Sequence, residues 1–482
     1  MTMLEEPIWV FSLNNIASCV RGDIQVMNIT EKLSEYVANT EFKDLPTSVV
    51  EKAKELILDN VGCAFGGYAT GADKALIDFV KELRGRRDST IIGNGRKVPS
   101  SLAAGVNAQM ANTLDFDETY RNRAHPASPI VQSAIAVAEF LKAGGKDLIN
   151  AVVVGYEVAT RIGDATHPSP ELMKKVWLQN WPIFGVVAAA AKLLHLDEDK
   201  TKQSFGIAGG VAPAINVHRI LDVPGAMIKL PNFWLCEVGI NAVFLAQKGF
   251  TGFHDYLDGN KGYWVTVSDR CDWEVMVSKL GEEYNIQKFL ALKPWPTCRW
   301  IHPGIELVLE LLQEEKIGVN EIDEIIFKAH WKVCAPPYDN PKPKTMWDAI
   351  WSVPWGIAMA VLGYEPGPEW YANERFADPN VLGFTKKVKV VPDPEASEIF
   401  EKTPERTFAK IELKAKGKVH LRKREYCKGD PKMPMTEQDL QWKFRKLVGA
   451  ILSKERTERL IRTIENLERV DDVRELTKLF KP

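Results

Sequence analysis

The chain has 482 residues, 45% of them apolar and 26% charged: material for two or three globular domains, and a composition that excludes disordered, collagenous and disulfide-scaffold proteins. Its 62 Lys and Arg against 64 Asp and Glu leave a formal charge of −2. No excess positive field is present to attract nucleic acid or an anionic membrane, so any anion site has to be local.

Residues 1–26 read as an N-terminal extension. Their opening, MTMLEEPIWV, lacks the positive start of a secretory signal, and a cytoplasmic protein is expected. Helical periodicity begins with ITEKLSEYVANT, where Thr30 can cap. Val49, Ala53, Leu56, Ile57, Asn60 and Val61 line one stripe of a helix expected to end at Gly66-Gly67. Ser89 to Ile92 and the following Gly93-Asn94-Gly95 read as a short strand and a tight turn; no P-loop Lys-Ser/Thr follows to make it a phosphate loop.

Between 100 and 250 the pattern predicts helices packed on several faces: Ser101 to Leu114, Pro129 to Lys142, Phe184 to Leu194, Lys200 to Gly209 and Glu237 to Lys248. The apolar run from Phe184 to Ala191, closed by Lys192, is far short of the roughly 20 residues of a bilayer span. After Leu290 β-branched alternation takes over in Ile322 to Trp331, Lys386 to Val391, Phe408 to Lys414 and Lys418 to Glu425, with Gly417 at a turn. Asp348 to Leu362 reads as a helix that Pro354 kinks or starts, and Thr436, in Thr-x-x-Asp, opens the last helical stretches. The expected architecture is mainly α: a large all-helical domain over 27–290, a smaller α+β lid domain over 291–429, and C-terminal helices over 430–482 that return to the first domain. The 7 cysteines form no CxxC or Cys/His cluster, so neither structural zinc nor a disulfide framework is expected.

Chemistry concentrates in NTLDFDETYRNRAHPASPIVQ, where Asp115, Asp117, Glu118 and Thr119 precede His125-Pro126 and Ser128-Pro129. Ser128 as N-cap with Pro129 at N1 would place His125 ahead of a helix N-terminus, where unpaired N–H groups favour a bound carboxylate. Local capping by the acids and a carbonyl-bonded His125 is the plainer alternative, and metal binding by the Asp-x-Asp pair is a weaker one. Lys229 in GAMIKLPNFW and Lys293 in LALKPWPTCRWIHPGIE stand in unusual company, the second on a stiff connector and followed by Cys298, Arg299 and His302 as candidate substrate contacts.

Taken together, LDFDET…HPAS, GYEVATRIG, IFGVVAAAAKLLHLDEDKT, KPWPTCRWIHPGIE, DAIWSVPWGIAMAVL and MTEQDLQWKF resemble the MmgE/PrpD family over about Ile29 to Lys478. Activities in that family include dehydration of 2-methylcitrate, decarboxylation of cis-aconitate and epimerisation of iminodisuccinate. The resemblance implies a helical domain with a smaller α+β lid, an active site between them, a homodimer, and neither metal nor organic cofactor. By matching position it implies pocket roles for Asp115, Thr119, His125, Lys229 and Lys293.

Two departures stand out. The family's histidine before the FGAAAAA-like helix is missing from Val176, Trp177, Leu178 and Gln179, with His167 of THPSP the histidine upstream, and the family's tyrosine in SxPY is Trp355. Indole donates a hydrogen bond but has no phenolic proton. Seven of the 14 tryptophans fall at 295, 300, 331, 347, 351, 355 and 370, as core packing or as an aromatic wall for a bulky substrate. The expected function is a cofactor-independent lyase that dehydrates a hydroxy-polycarboxylate, with His125 and Asp115 as acid/base groups, Thr119 orienting, and Lys229 and Lys293 holding carboxylates. An epimerase or isomerase, a decarboxylase, and a non-catalytic carboxylate binder are the alternatives.

Overall fold

The computed structural model describes residues 28–122, 124–169, 171–172, 180–212, 225, 227, 229–403 and 405–482. The N-terminal extension, 1–26, and Val176 to Gln179 lie outside them. The fold is mainly α with one four-stranded sheet and three two-stranded ladders among the described residues, and no described helix is long and apolar enough to cross a membrane.

The buried heart of the helical part is formed by Thr47–Thr70, Ser100–Thr113, Ala127–Leu141, Gly145–Ala165, Pro182–Leu193 and Pro231–Gln247. Small residues let them approach closely. A Cβ on Gly155 would lie 2.7 Å from the Gly185 carbonyl oxygen, and one on Gly185 would lie 2.6 Å from that of Gly155. The same effect overturns the expected helix end at Gly66-Gly67. The helix runs on to Thr70 and ends at Gly71, whose φ of 70° suits a C-cap. The glycine pair marks crossings instead: Gly66 receives Leu447 and Gly67 receives the backbone of Met110. Thr30 lies inside the Ile29–Asn39 helix rather than capping it, and its hydroxyl donates to Asp258.

The four-stranded sheet orders Lys418–Arg424, Ala409–Ala415, Ile322–Ala329 and Val388–Pro392, the last pair parallel and the others antiparallel. His302–Glu314 covers it, with Gly304 giving room to Phe327. The expected helix at Asp348 to Leu362 is two pieces, Met346–Ala349 and Val353–Val361, because Pro354 starts the second under a Ser352 cap. The chain then returns: Glu437–Val448, capped by Thr436, packs on Thr47–Thr70.

Candidate active site

The Ser100–Thr113 helix ends just before Asp115, whose φ of 51° is left-handed. Such a backbone costs roughly 1–2 kcal/mol for an L-residue, less for Asp, and is commonest where geometry serves a site. Here it lets one ammonium meet both ends of the residue. Lys293 Nζ donates to the Asp115 carbonyl at 2.7 Å and to Oδ2 at 3.0 Å, while Lys229 Nζ donates to Oδ1 at 2.6 Å. A two-residue ladder, Thr119 opposite Ala291 and Tyr120 opposite Leu290, ties the two loops together and so delivers Lys293. The loop then folds back through a Tyr120–Ala124 bridge, with Arg121 and Asn122 left-handed, and brings His125 over the same carboxylate. His125 Nε2 lies 3.4 Å from Asp115 Oδ1, its Nδ1 lies 3.2 Å from Asp117 Oδ1, and its side chain is 22% exposed whereas both aspartates are enclosed.

Charge explains the titration of this cluster. Burial disfavours the Asp115 anion, but Lys229, Lys293 and His125 together outweigh burial and hold its carboxyl far below the usual carboxylate range. Asp117 is also held low, with burial opposing and His125 prevailing. Glu118 goes the other way: burial and the Asp117 charge push its carboxyl well above the ordinary value.

Glu118 also corrects the expected anion site. The helix begins at Ala127, not Ser128, and the Ala127 N–H donates to Glu118 Oε1 at 2.7 Å. An internal carboxyl therefore occupies the N-terminus that a substrate carboxylate was expected to use. Ser128 does not cap; its hydroxyl donates to Asp117 Oδ2 at 2.6 Å.

Of the expected site residues, the fold brings Asp115, His125, Lys229 and Lys293 into one ion-paired cluster. Thr119 stands on the ladder, with its hydroxyl 3.5 Å from Asn122 Oδ1. Arg299, expected at the substrate, is buried and pairs with Asp430 at 3.0 Å while donating to the carbonyls of Lys428 and Cys427. It clamps the two strands of chain that cross between the helical and sheet-bearing parts. Burial, then Arg299 and Lys293, push the His302 imidazole well below its ordinary value. Neutral, it accepts from Arg299 at Nδ1 and donates from Nε2 to the Thr297 carbonyl, both at 3.1 Å. Cys298 lies within the field of Asp115, and burial pushes its thiol up to about 12.

Trp355 is fully buried and stacked on Phe376 at 4.8 Å, and its indole N–H has no partner. The tryptophan cluster is mostly packing: Trp295 stacks on Trp370, Trp300 meets His330, Tyr338 and Phe400, and Trp331 is exposed. The Trp351 ring lies 5.6 Å from the site ammonium Lys229 Nζ. His167 pairs with Arg270 in a short ladder at the surface.

Asp115, Asp117 and His125 offer ligand atoms within 4.8 Å of one another, a spacing that a metal ion could use. Both oxygens of Asp115 are already engaged by ammonium groups, so a cation there would compete with Lys229 and Lys293.

Sequence reasoning missed Lys443 and Asp59, a buried pair at 2.5 Å beneath the same loop, where Lys443 also donates to the Phe116 carbonyl at 2.6 Å. In the sequence Lys443 is one cation of a charged helix, and only its place on the apolar face of MTEQDLQWKF hints at burial.

The MmgE/PrpD N-terminal domain matches residues 31–276, and the MmgE/PrpD C-terminal domain matches residues 295–469. Cis-aconitate decarboxylase of Mus musculus is 23% identical across 95% of this chain and 94% of its own. The Homo sapiens cis-aconitate decarboxylase is 25% identical across 95% of each chain. A cis-aconitate decarboxylase-like protein, oryM, of Aspergillus oryzae is 26% identical across 94% of this chain and 97% of its own.

Proposed function

Because the chain belongs to the MmgE/PrpD family, we propose that it is a lyase of polycarboxylates that breaks the bond to a carboxylate or hydroxyl with groups the chain itself supplies. The observation that carries this reading is two buried ammonium groups on one carboxylate beside a half-open imidazole. Lys229 and Lys293 bring two positive charges against the single charge of Asp115, which leaves one excess positive charge for a substrate anion. Each ammonium has three N–H donors. Among the described residues Lys229 commits one to Asp115 and Lys293 commits two, which leaves donors on both for a substrate carboxylate.

Decarboxylation of a cis-aconitate-like acid is the outcome we favour, in keeping with the relatives. The C–C bond to one carboxylate breaks, its electron pair stays on carbon, carbon dioxide leaves, and one proton is delivered to that carbon. His125 is the group placed to deliver it, and such a donor contributes about 10²- to 10⁴-fold. Asp115 is a poor base because its neighbours hold it as an anion. Its role in this reading is to fix the two lysines.

Dehydration is the second reading. It requires one proton removed from carbon and another given to the leaving hydroxyl, and so a second acid/base group alongside His125.

Proton NMR in D₂O with cis-aconitate, citrate and 2-methylcitrate tests both. Loss of carbon dioxide with one carbon-bound deuterium in the product supports decarboxylation. An alkene without loss of carbon dioxide selects dehydration, exchange without a new product selects epimerisation, and no reaction across the panel with folded protein overturns the lyase reading.

A further inference from the structure

Asp117 is enclosed, and among the described residues no lysine pairs with it directly. Instead, neutral donors fix both oxygens: Asn112 Nδ2 at 2.8 and 2.9 Å, and Ser128 Oγ at 2.6 Å. Those donors are themselves held. Asn60 Nδ2 donates to Ser128 Oγ at 3.1 Å, Gln132 Nε2 donates to Asn60 Oδ1 at 2.8 Å, and Asn232 Nδ2 donates to Asn112 Oδ1 at 3.2 Å. Side chains from four helices thus converge on one buried carboxylate whose charged neighbour is an imidazole.

A buried anion surrounded by neutral donors still needs a close counter-charge, and Lys293 and Lys229 favour the Asp117 anion less than His125 does. His125 supplies it. Its Nδ1 faces Asp117 at 3.2 Å, at ion-pair distance although not in an aligned hydrogen bond, and its Nε2 faces Asp115 at 3.4 Å. An imidazole with a bare nitrogen toward either oxygen would set lone pair against lone pair. The charged groups around the ring are Asp115, Asp117 and Glu118, with Lys229 and Lys293 beyond Asp115.

We infer, on the polycarboxylate-lyase reading above, that Asp117 is the positioning residue for His125, its charge holding a proton on Nδ1 so that Nε2, on the Asp115 side of the ring, is the nitrogen that gives its proton to the substrate. When the C–C bond breaks, Nε2–H transfers its proton to the carbon that holds the electron pair. The neutral ring keeps Nδ1–H toward Asp117, and solvent returns a proton to Nε2 through the exposed edge of His125. The same aspartate that serves no substrate contact therefore sets which nitrogen works.

A double-mutant cycle tests this. Asp117→Asn keeps the shape and removes the charge; it is expected to lower kcat by about 10²- to 10⁴-fold with KM changed less than about 3-fold. In a His125→Gln background the same substitution is expected to cost less than about 3-fold more, since residues that act as a unit are not additive. Ser128→Ala, which only loosens Asp117, is expected to lose about tenfold and serves if Asp117→Asn does not fold. Additive losses, or equal losses in kcat and fraction folded, would overturn the inference.

A readout without turnover separates it from the lyase reading. In ¹⁵N-histidine-labelled protein, His125 Nδ1 is expected to carry a proton, and the Asp117→Asn variant is expected to lose that preference for Nδ1. Identical His125 signals in both proteins would sink the positioning role. A clear difference in a protein that turns over no carboxylate would keep that role and sink the lyase reading instead.

Discussion

Two buried lysine–aspartate clusters hold the consecutive carbonyls of Asp115 and Phe116, and they differ in one respect that decides their chemistry. Lys443 meets Asp59 one to one and donates to the Phe116 carbonyl; Lys229 and Lys293 share Asp115, and Lys293 donates to the Asp115 carbonyl. With a single cation, burial still wins, and the Asp59 carboxyl is raised above its ordinary value despite Lys443. With two cations and His125, burial loses, and Asp115 is held far down. The first cluster is neutral and closed, an architectural pin. The second carries surplus positive charge and a side chain open to solvent, which are the requirements of an anion site.

Glu157 extends the series to a carboxyl without a committed cation. Its neighbour Arg161 donates to the carbonyls of Ser278 and Glu283, and Arg161 Nε stays 3.5 Å from Glu157 Oε2. Burial, only partly opposed by hydrogen bonds to Glu157 and by Arg161, raises the carboxyl to about 7. Cation count, more than depth, separates these three acids.

The largest expected effect tests the surplus charge. Lys293→Met should leave Asp115 paired with Lys229 but remove the excess cation, and steady-state turnover should fall by about 10³-fold; a loss under tenfold would break the distinction between the clusters. Lys443→Met should do the reverse. Stranding Asp59 should cost about 3–5 kcal/mol in urea unfolding, while kcat per folded molecule stays within a few-fold. Asp59→Leu combined with Lys443→Met should recover most of that stability, and failure to recover would mean that Lys443 does more than pin.

A smaller effect is expected from Glu157. Its folded-state value is raised above the unfolded one, so the folded protein holds the proton more tightly between about pH 4.5 and 7. Its contribution to stability should therefore be fully present below that window and be lost through it as pH rises, by up to about 3 kcal/mol. Glu157→Gln should flatten the slope of stability against pH, and an unchanged slope would remove Glu157 from the series. The smallest effect is expected at Cys298, whose thiol is buried and pushed up to about 12. Cys298→Ala should keep turnover within about 3-fold, and a larger loss would put the thiol in contact with substrate.

Periodicity carried the long helices and the four strands because burial on one face forces a repeat that any reader of the chain can see. Gly66-Gly67 misled because a glycine that ends a helix and a glycine that admits a neighbouring helix look alike until the neighbour is in place; here the neighbours are Met110 and Leu447. Ser128 misled for a related reason. Ser-Pro is a good helix start, but Glu118 reached the N-terminus first and Asp117 drew the serine hydroxyl away.

Asp115, His125, Lys229 and Lys293 were legible as candidates from unusual local company and family resemblance, yet their division of labour was not. The four lie on three loops, two of them joined by a ladder of two residue pairs, with a left-handed aspartate that no propensity predicts. The amino-acid sequence by itself determined a mainly α chain with a small late sheet, no net field, and a loop rich in acids ahead of His125, since composition and periodicity are properties of the chain. Which lysine meets which aspartate, which acid is pushed up or held down, and which aspartate each nitrogen of His125 faces were decided only by tertiary structure, because Coulomb energies and desolvation depend on distances and enclosure set between segments far apart in the chain.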